Sequence, residues 1–270
     1  MEQPVSVVYI AAKGHSGSTL LDLLLSSHSR IASVGELKML SRRKEERRFL
    51  TRKRCACGAE TPLACPFWCA VDERLRRAAG FSLWEADPEA EEDGAFARQN
   101  RALYQAVAAV SGRPFVVDSS KGGRRLARLL SVEGLAVKPL HLVRSPWGVV
   151  YSNVKRGRDW REHAAQYTRA VLSARRLLRG VDHRVVRYET LARQPARTLR
   201  AILAWLNLEF EPAMLRWTEH EHHNFAGNSM RYDRSGEIRL DDSWKRGLTL
   251  AQQAGVALKT LPALAARWLP

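Results

Sequence analysis

The sequence predicts an α/β fold, a single domain in which a central parallel sheet is flanked by helices. Two observations lead there. Short apolar runs rich in Val, Ile and Leu recur along the 270 residues, and segments of helical period alternate with them. Strands buried on both faces read as continuous apolar runs, and their alternation with helices implies crossover connections that leave them parallel.

In chain order, the first strand is expected at residues 5–11, followed at once by a helix over 18–27. Further strands are expected at 115–118, 138–143 and 184–187. Helices are expected at 93–110, 124–130, 147–155, 162–178 and 196–206. From about residue 37 to 94 the alternation breaks, and this Cys-containing stretch is expected to be an insertion or cap on the domain. Residues 217–249 are polar and irregular, as loops that carry ligand contacts often are. There is no internal repeat and no low-complexity segment.

The formal net charge is +16, from 44 Lys and Arg against 28 Asp and Glu. A field of this sign draws polyanions: nucleic acid, an anionic membrane or a phosphorylated small molecule. The one dense basic run, residues 42–54, also holds Glu45 and Glu46, so it reads as a solvated helix face. No stretch approaches the roughly 18 apolar residues of a membrane span. The N-terminus enters an apolar segment almost directly, without the features of a secretory leader, and a cytoplasmic protein is expected. In that setting the clustered Cys55, Cys57, Cys65 and Cys69 are either packed thiols or are bridged by zinc or a disulfide; their spacing matches no zinc ribbon. His220, His222 and His223 lack the i, i+4 pairing of zincins and are expected to form a polar rim or to be exposed.

Strand one runs into Lys13-Gly14-His15-Ser16-Gly17-Ser18-Thr19, and a helix follows. Converging backbone N–H groups, a helix N-terminus and several hydroxyls make an anion site. A plain glycine-containing turn capped by Ser18 has the same spacing. The segment is neither G-x-x-x-x-G-K-[ST] nor G-x-G-x-x-G. A second piece, Leu140-His141-Leu142-Val143-Arg144-Ser145-Pro146, takes a strand into a helix that carries Ser152. Arg144 leaves the carboxyl end of its strand, where open α/β sheets bind ligands, and it could grip a phosphate together with Ser152. His141, inside the strand, reads as a buried histidine.

Together and in this order, the two pieces resemble the sulfotransferase family, whose fold is like that of the P-loop nucleoside triphosphatases. Val117-Asp118-Ser119-Ser120-Lys121, Val186-Arg187-Tyr188-Glu189-Thr190-Leu191, Gly227-Asn228-Ser229-Met230-Arg231 and Asp242-Ser243-Trp244-Lys245 extend the likeness over residues 5–250. The resemblance implies a sulfuryl donor, 3′-phosphoadenylyl sulfate (PAPS), and a product, 3′-phosphoadenosine 5′-phosphate (PAP), with no metal required. It places the 5′-phosphosulfate on Ser16, Gly17, Ser18 and Thr19, with Lys13, Gly14 and His15 beside it. The 3′-phosphate falls to Arg144 and Ser152, and Arg231 and Arg234 add to a nucleotide clamp. The family usually has Arg or Lys where His15 stands, so Lys13 or Lys121 is expected to share its charge-stabilising duty. Val34-Gly35-Glu36-Leu37 resembles the G-E segment of tyrosyl-protein and carbohydrate sulfotransferases, which makes Glu36 the candidate general base.

The acceptor is a hydroxyl or amine on a small molecule, glycan or tyrosine, and is not identified by the sequence. Two other functions compete. A small-molecule kinase on a related core would use Asp118 for its metal. A non-catalytic nucleic-acid binder would need exposed aromatics among clustered Lys and Arg, and Trp68, Trp84 and Trp160 are not so arranged.

Overall fold

The computed structural model describes residues 4–41, 50 and 53–265. The basic run at 42–54 lies largely outside the described residues. Five strands form one sheet of order β2-β3-β1-β4-β5, where β1 is Val5–Ala12, β2 Ile31–Gly35, β3 Phe115–Lys121, β4 Leu135–Val143 and β5 Arg184–Arg187. The β2–β3 and β4–β5 pairs are parallel. The α/β class expected from the alternation is the one observed.

The helices are α1 (Ser18–Ser26), α2 (Pro66–Ala79), α3 (Asp93–Ser111), α4 (Gly123–Leu129), α5 (Pro146–Val154), α6 (Trp160–Leu178), α7 (Tyr188–Arg193), α8 (Pro195–Trp205), α9 (Trp244–Gly247) and α10 (Leu250–Ala265). Most expected elements are present with ends shifted by one to three residues. Strand β2 was not foreseen. Its sequence, IASVG, is short, and all five residues are buried, so it shows neither alternation nor a long apolar run. Helices α2 and α10 were also missed. The first lies in the supposed insertion, where Pro66 opens it and Gly80, at φ 73°, ends it. The second carries Pro262 in its interior, a residue that argues against a helix.

Contacts sort the chain into two compact units: Met1–Ile10, Thr19–Pro139 and Glu211–Gly236 in the first; Ala11–Ser18, Leu140–Phe210 and Glu237–Pro270 in the second. In the second unit, α5, α6 and α10 bury Val149, Val150, Ala164, Tyr167, Val171, Val256 and Ala263.

The first unit is organised around a buried carboxylate. Asp22, on the inward face of α1 among Leu20, Leu21, Leu23 and Leu24, is 1% exposed. Its Oδ1 accepts hydrogen bonds from Ser33 Oγ (2.5 Å) on β2 and from Asn224 Nδ2 (2.8 Å). Ser33 Oγ in turn accepts from Asn224 Nδ2 (2.8 Å) and from the Gly35 backbone (2.9 Å). Burial pushes Asp22 up from 3.8 to about 6, despite the hydrogen bonds from Ser119, Ser33 and Asn224. The native state therefore holds this proton up to about pH 6, while the unfolded chain releases it near 3.8. The resulting stability is full below the lower value and is lost as pH rises through the upper one, by roughly 3 kcal/mol at 1.36 kcal/mol per unit. Asp22→Asn should remove that slope, so urea unfolding at about pH 4 and about pH 7 should find the variant gaining on the wild type at the higher pH. A constant difference between the two proteins would mean that Asp22 does not carry the proton.

Candidate active site

In the second unit, β1 ends at Ala12, the turn Lys13–Gly17 follows, and α1 begins at Ser18. His15 and Gly17 take left-handed backbone conformations, with φ of 69° and 89°. Gly17 has a further reason to lack a side chain: a Cβ would lie 2.4 Å from Cδ2 of Tyr188. Ser16 and Ser18 are buried. Lys13 donates to Gln166 Oε1 at 3.0 Å, and burial, then Arg169 and Arg158, lower its pKa.

Arg144 follows β4 and is 7% exposed. Its Nη1 donates to the His15 carbonyl at 3.0 Å, and its Nη2 to the Asp241 carbonyl and to Oδ2 of Asp241, each at 2.9 Å. The guanidinium lies 4.4 Å from the Tyr188 ring centroid. On its other flank is Gly148, where a Cβ would meet Arg144 Nε at 2.7 Å. Within α5 the Gly148 carbonyl accepts from Ser152 Oγ at 3.0 Å. Burial would raise Asp241, but the Ser243 hydrogen bond and the Arg144 charge outweigh it and hold Asp241 at about 2. A carboxylate thus occupies part of the Arg144 fork, an anion already in place.

In the first unit, Glu36 follows the last residue of β2 and Lys121 is the last of β3. Lys121 has a φ of 72°, and its Nζ lies 2.5 Å from Glu36 Oε1, with both side chains largely buried. Glu36 is placed by backbone: its N–H donates to the Phe225 carbonyl at 2.8 Å, and Phe225 N–H donates to the Val34 carbonyl at 3.2 Å. Lys38 stands close by. Its backbone donates to Ser120 Oγ at 3.2 Å, and burial lowers its pKa while Glu36 raises it and Lys121 lowers it.

Thr19 lies on α1, and its Oγ1 accepts from the Asn228 backbone at 3.3 Å. A Cβ on Gly227 would lie 3.5 Å from that oxygen and 3.8 Å from Arg231 Nη1. Arg231 is 7% exposed and donates through Nη2 to Tyr232 Oη at 2.6 Å. Its Nε and Nη1 are buried without a hydrogen-bond partner among the described residues. Arg234 is exposed and is not brought to this cluster.

Three expectations are corrected. Asp118 is turned inward rather than offered to a kinase-type metal: it is fully buried and accepts from Tyr104 Oη (2.6 Å), the Ser120 backbone (2.8 Å) and Arg125. The three histidines form no common rim. His222 is buried between Ser26 Oγ and the Trp217 carbonyl, His220 contacts the Ala213 carbonyl, and His223 turns to the cysteines. Cys69 leaves the cysteine group, its Sγ exposed and 3.3 Å from the Leu63 carbonyl. His141 is buried, as expected.

Sequence reasoning also passed over Lys38, Gly148 and Asp241. Gly148 had a usable signal, a glycine one helical turn after the arginine. Asp241 sits one residue before the D-S-W-K segment and had none.

The turn between β1 and α1, with Arg144 bound to its His15 carbonyl, has the backbone and hydroxyl make-up of an anion site in an α/β protein. Residues 8–212 match the Sulfotransferase family, and the chain belongs to that family. Among solved structures it is similar to the sulfotransferase domain of the Synechococcus PCC 7002 olefin synthase, at 19% identity and a TM-score of 0.58, covering 100% of this chain and 98% of that one. The sulfotransferase domain from the curacin biosynthetic pathway is similar at 17% identity and 0.55, covering 95% and 96%. A Mycobacterium tuberculosis H37Rv sulfotransferase is similar at 12% identity and 0.54, covering 95% and 76%. No curated protein sequence matches significantly. No described helix is long and apolar enough to cross a membrane.

Gly17→Ala should cost about 1–3 kcal/mol, from the left-handed backbone and the clash with Tyr188. Urea unfolding checks this, and adding Tyr188→Ala should recover part of the loss. Full stability in the single variant would show that the turn is not pinned by that ring.

Proposed function

We propose that the chain transfers a sulfuryl group from PAPS to a hydroxyl or amine of an acceptor. The observation that carries this reading is Arg231, a buried guanidinium with two unpartnered nitrogens near Thr19 Oγ1. A buried cation left without hydrogen-bond acceptors is costly, and an anionic donor would supply them. In this assignment Ser16, Gly17, Ser18 and Thr19 hold the 5′-phosphosulfate with Lys13 and Gly14, and His15 assists. Arg144 and Ser152 take the 3′-phosphate, and Arg231 closes on the nucleotide. The 3′-phosphate displaces the Asp241 carboxylate from Arg144, one anion for another.

The acceptor oxygen or nitrogen attacks sulfur in line, the bond from sulfur to the bridging phosphate oxygen breaks, and its electron pair leaves with PAP. Catalysis of this type is positioning and charge stabilisation. Lys121 neutralises the oxygens that gain charge, His15 assists, and Glu36 takes the acceptor proton. The pairing of Lys121 with Glu36 at 2.5 Å supports a coupled exchange. Donor oxygens draw Lys121 away and free the carboxylate to act as base.

PAP should raise the unfolding temperature, and ADP and 5′-AMP should not; at a hundredfold excess over Kd the gain is about 2.7 kcal/mol. Arg231→Ala and Arg144→Ala should lose the shift. An equal shift with ADP, or none with PAP, would overturn the donor assignment. Glu36→Gln should keep the PAP shift while lowering kcat by about 10²–10⁴-fold. Loss of PAP binding in that variant would remove Glu36 from the role of base.

A further inference from the structure

Outside these residues, the first unit gathers four soft donors. Cys55, Cys57, Cys65 and His223 each present one ligand atom, and all four atoms lie within 4.8 Å of one another. Cys57 Sγ is 3.6 Å from Cys65 Sγ, and Cys65 Sγ is 3.3 Å from His223 Nδ1. Around a tetrahedral zinc with Zn–S near 2.3 Å and Zn–N near 2.05 Å, the sulfur–sulfur edge is about 3.8 Å and the sulfur–nitrogen edge about 3.6 Å. The observed edges match to within a few tenths of an ångström.

The surroundings are those of a ligand set. Cys55 and Cys57 sit on a tight turn closed by Gly58 N–H to the Cys55 carbonyl (3.1 Å) and Cys55 N–H to the Ala59 carbonyl (2.9 Å). Cys65 is the N-cap of α2, where the helix end favours a thiolate. The His223 ring is stacked on Phe67, with centroids 4.4 Å apart, and its carbonyl accepts from Trp68 Nε1 at 2.6 Å. Its second nitrogen, Nε2, faces the exposed carboxylate of Glu221, with Oε1 3.8 Å away.

We propose that Cys55, Cys57, Cys65 and His223 bind one zinc ion in a closed, tetrahedral, structural site. Three thiolates and an imidazole suit zinc, and four protein ligands leave no position for a reacting molecule. The ion joins the stretch that carries the cysteines to residues 223–225, whose Phe225 is paired to Gly35 and accepts from Glu36 N–H. It also steadies the other flank: Arg54, next to Cys55, accepts through its carbonyl from Tyr232 Oη, the group that receives Arg231. The site is thus a positioning device for Glu36 and Arg231, and it stands whether or not PAPS is the donor.

The test uses the full chain, reduced and prepared without chelators. Elemental analysis should find about one zinc per chain in the wild type and in Cys69→Ser, and its loss in Cys65→Ser and His223→Ala. Should those two variants fail to fold, cobalt(II) titration of the wild type decides: intense visible bands of a tetrahedral thiolate site, displaced by zinc, are expected. A wild type that takes up neither metal, a weak octahedral cobalt spectrum, loss of metal from Cys69→Ser, or a native Cys57–Cys65 disulfide found by mass spectrometry would each overturn the proposal.

Discussion

The Asp22–Ser33–Asn224 hydrogen-bond triangle is the constraint on which the first unit depends. It sets α1 against β2 and holds residue 224 to both. Position 225 then pairs with β2, position 223 reaches the cysteines, and Glu36 leaves the strand with its backbone already bound. A buried carboxylate is expensive, and a structure that keeps one gains register: the three bonds form together only when α1, β2 and residue 224 are aligned as they are here. The assignment of Glu36 and the proposed metal centre both inherit their geometry from this alignment.

The arginines of the two units are held differently. Arg144 has a partner on each terminal nitrogen, the His15 carbonyl and Asp241, and the Tyr188 ring beside it, so an anion meeting those nitrogens must exchange with an existing partner. Arg231 has two nitrogens in waiting. An exchange costs affinity and adds selectivity, because only an anion with better geometry than a carboxylate displaces one.

The strands with dense Val, Ile and Leu content, and the turn with its glycines and hydroxyls, were legible because a local pattern is enough to define them. Arg144 was singled out by its place after an apolar strand, and Lys121 by the family resemblance of the segment that carries it. Strand β2 was not, because a fully buried five-residue strand has no period, and its one polar residue, Ser33, is explained only by a partner 11 positions away. Nor could the cysteine spacing reveal its histidine, which lies 158 residues beyond Cys65. Asp22 reads as one polar interruption of a leucine-rich helix, and its meaning comes from Asn224, 202 residues on. Local pattern reaches the elements; the contacts that aim them are long-range.

The pairing of Phe225 on β2 has one more effect. In a sheet of order β2-β3-β1-β4-β5, β2 and β5 are the borders. An uncovered border offers unpaired N–H and carbonyl groups to any passing chain and invites edge-to-edge aggregation. The apolar β2 is guarded because Phe225 N–H takes the Val34 carbonyl and its own carbonyl takes Glu36 N–H. The opposite border, β5, relies on other means: it is four residues long and begins and ends in exposed arginines, Arg184 and Arg187. Residue 225 therefore serves solubility as well as placement, and loosening it would expose a sticky seam in the molecule.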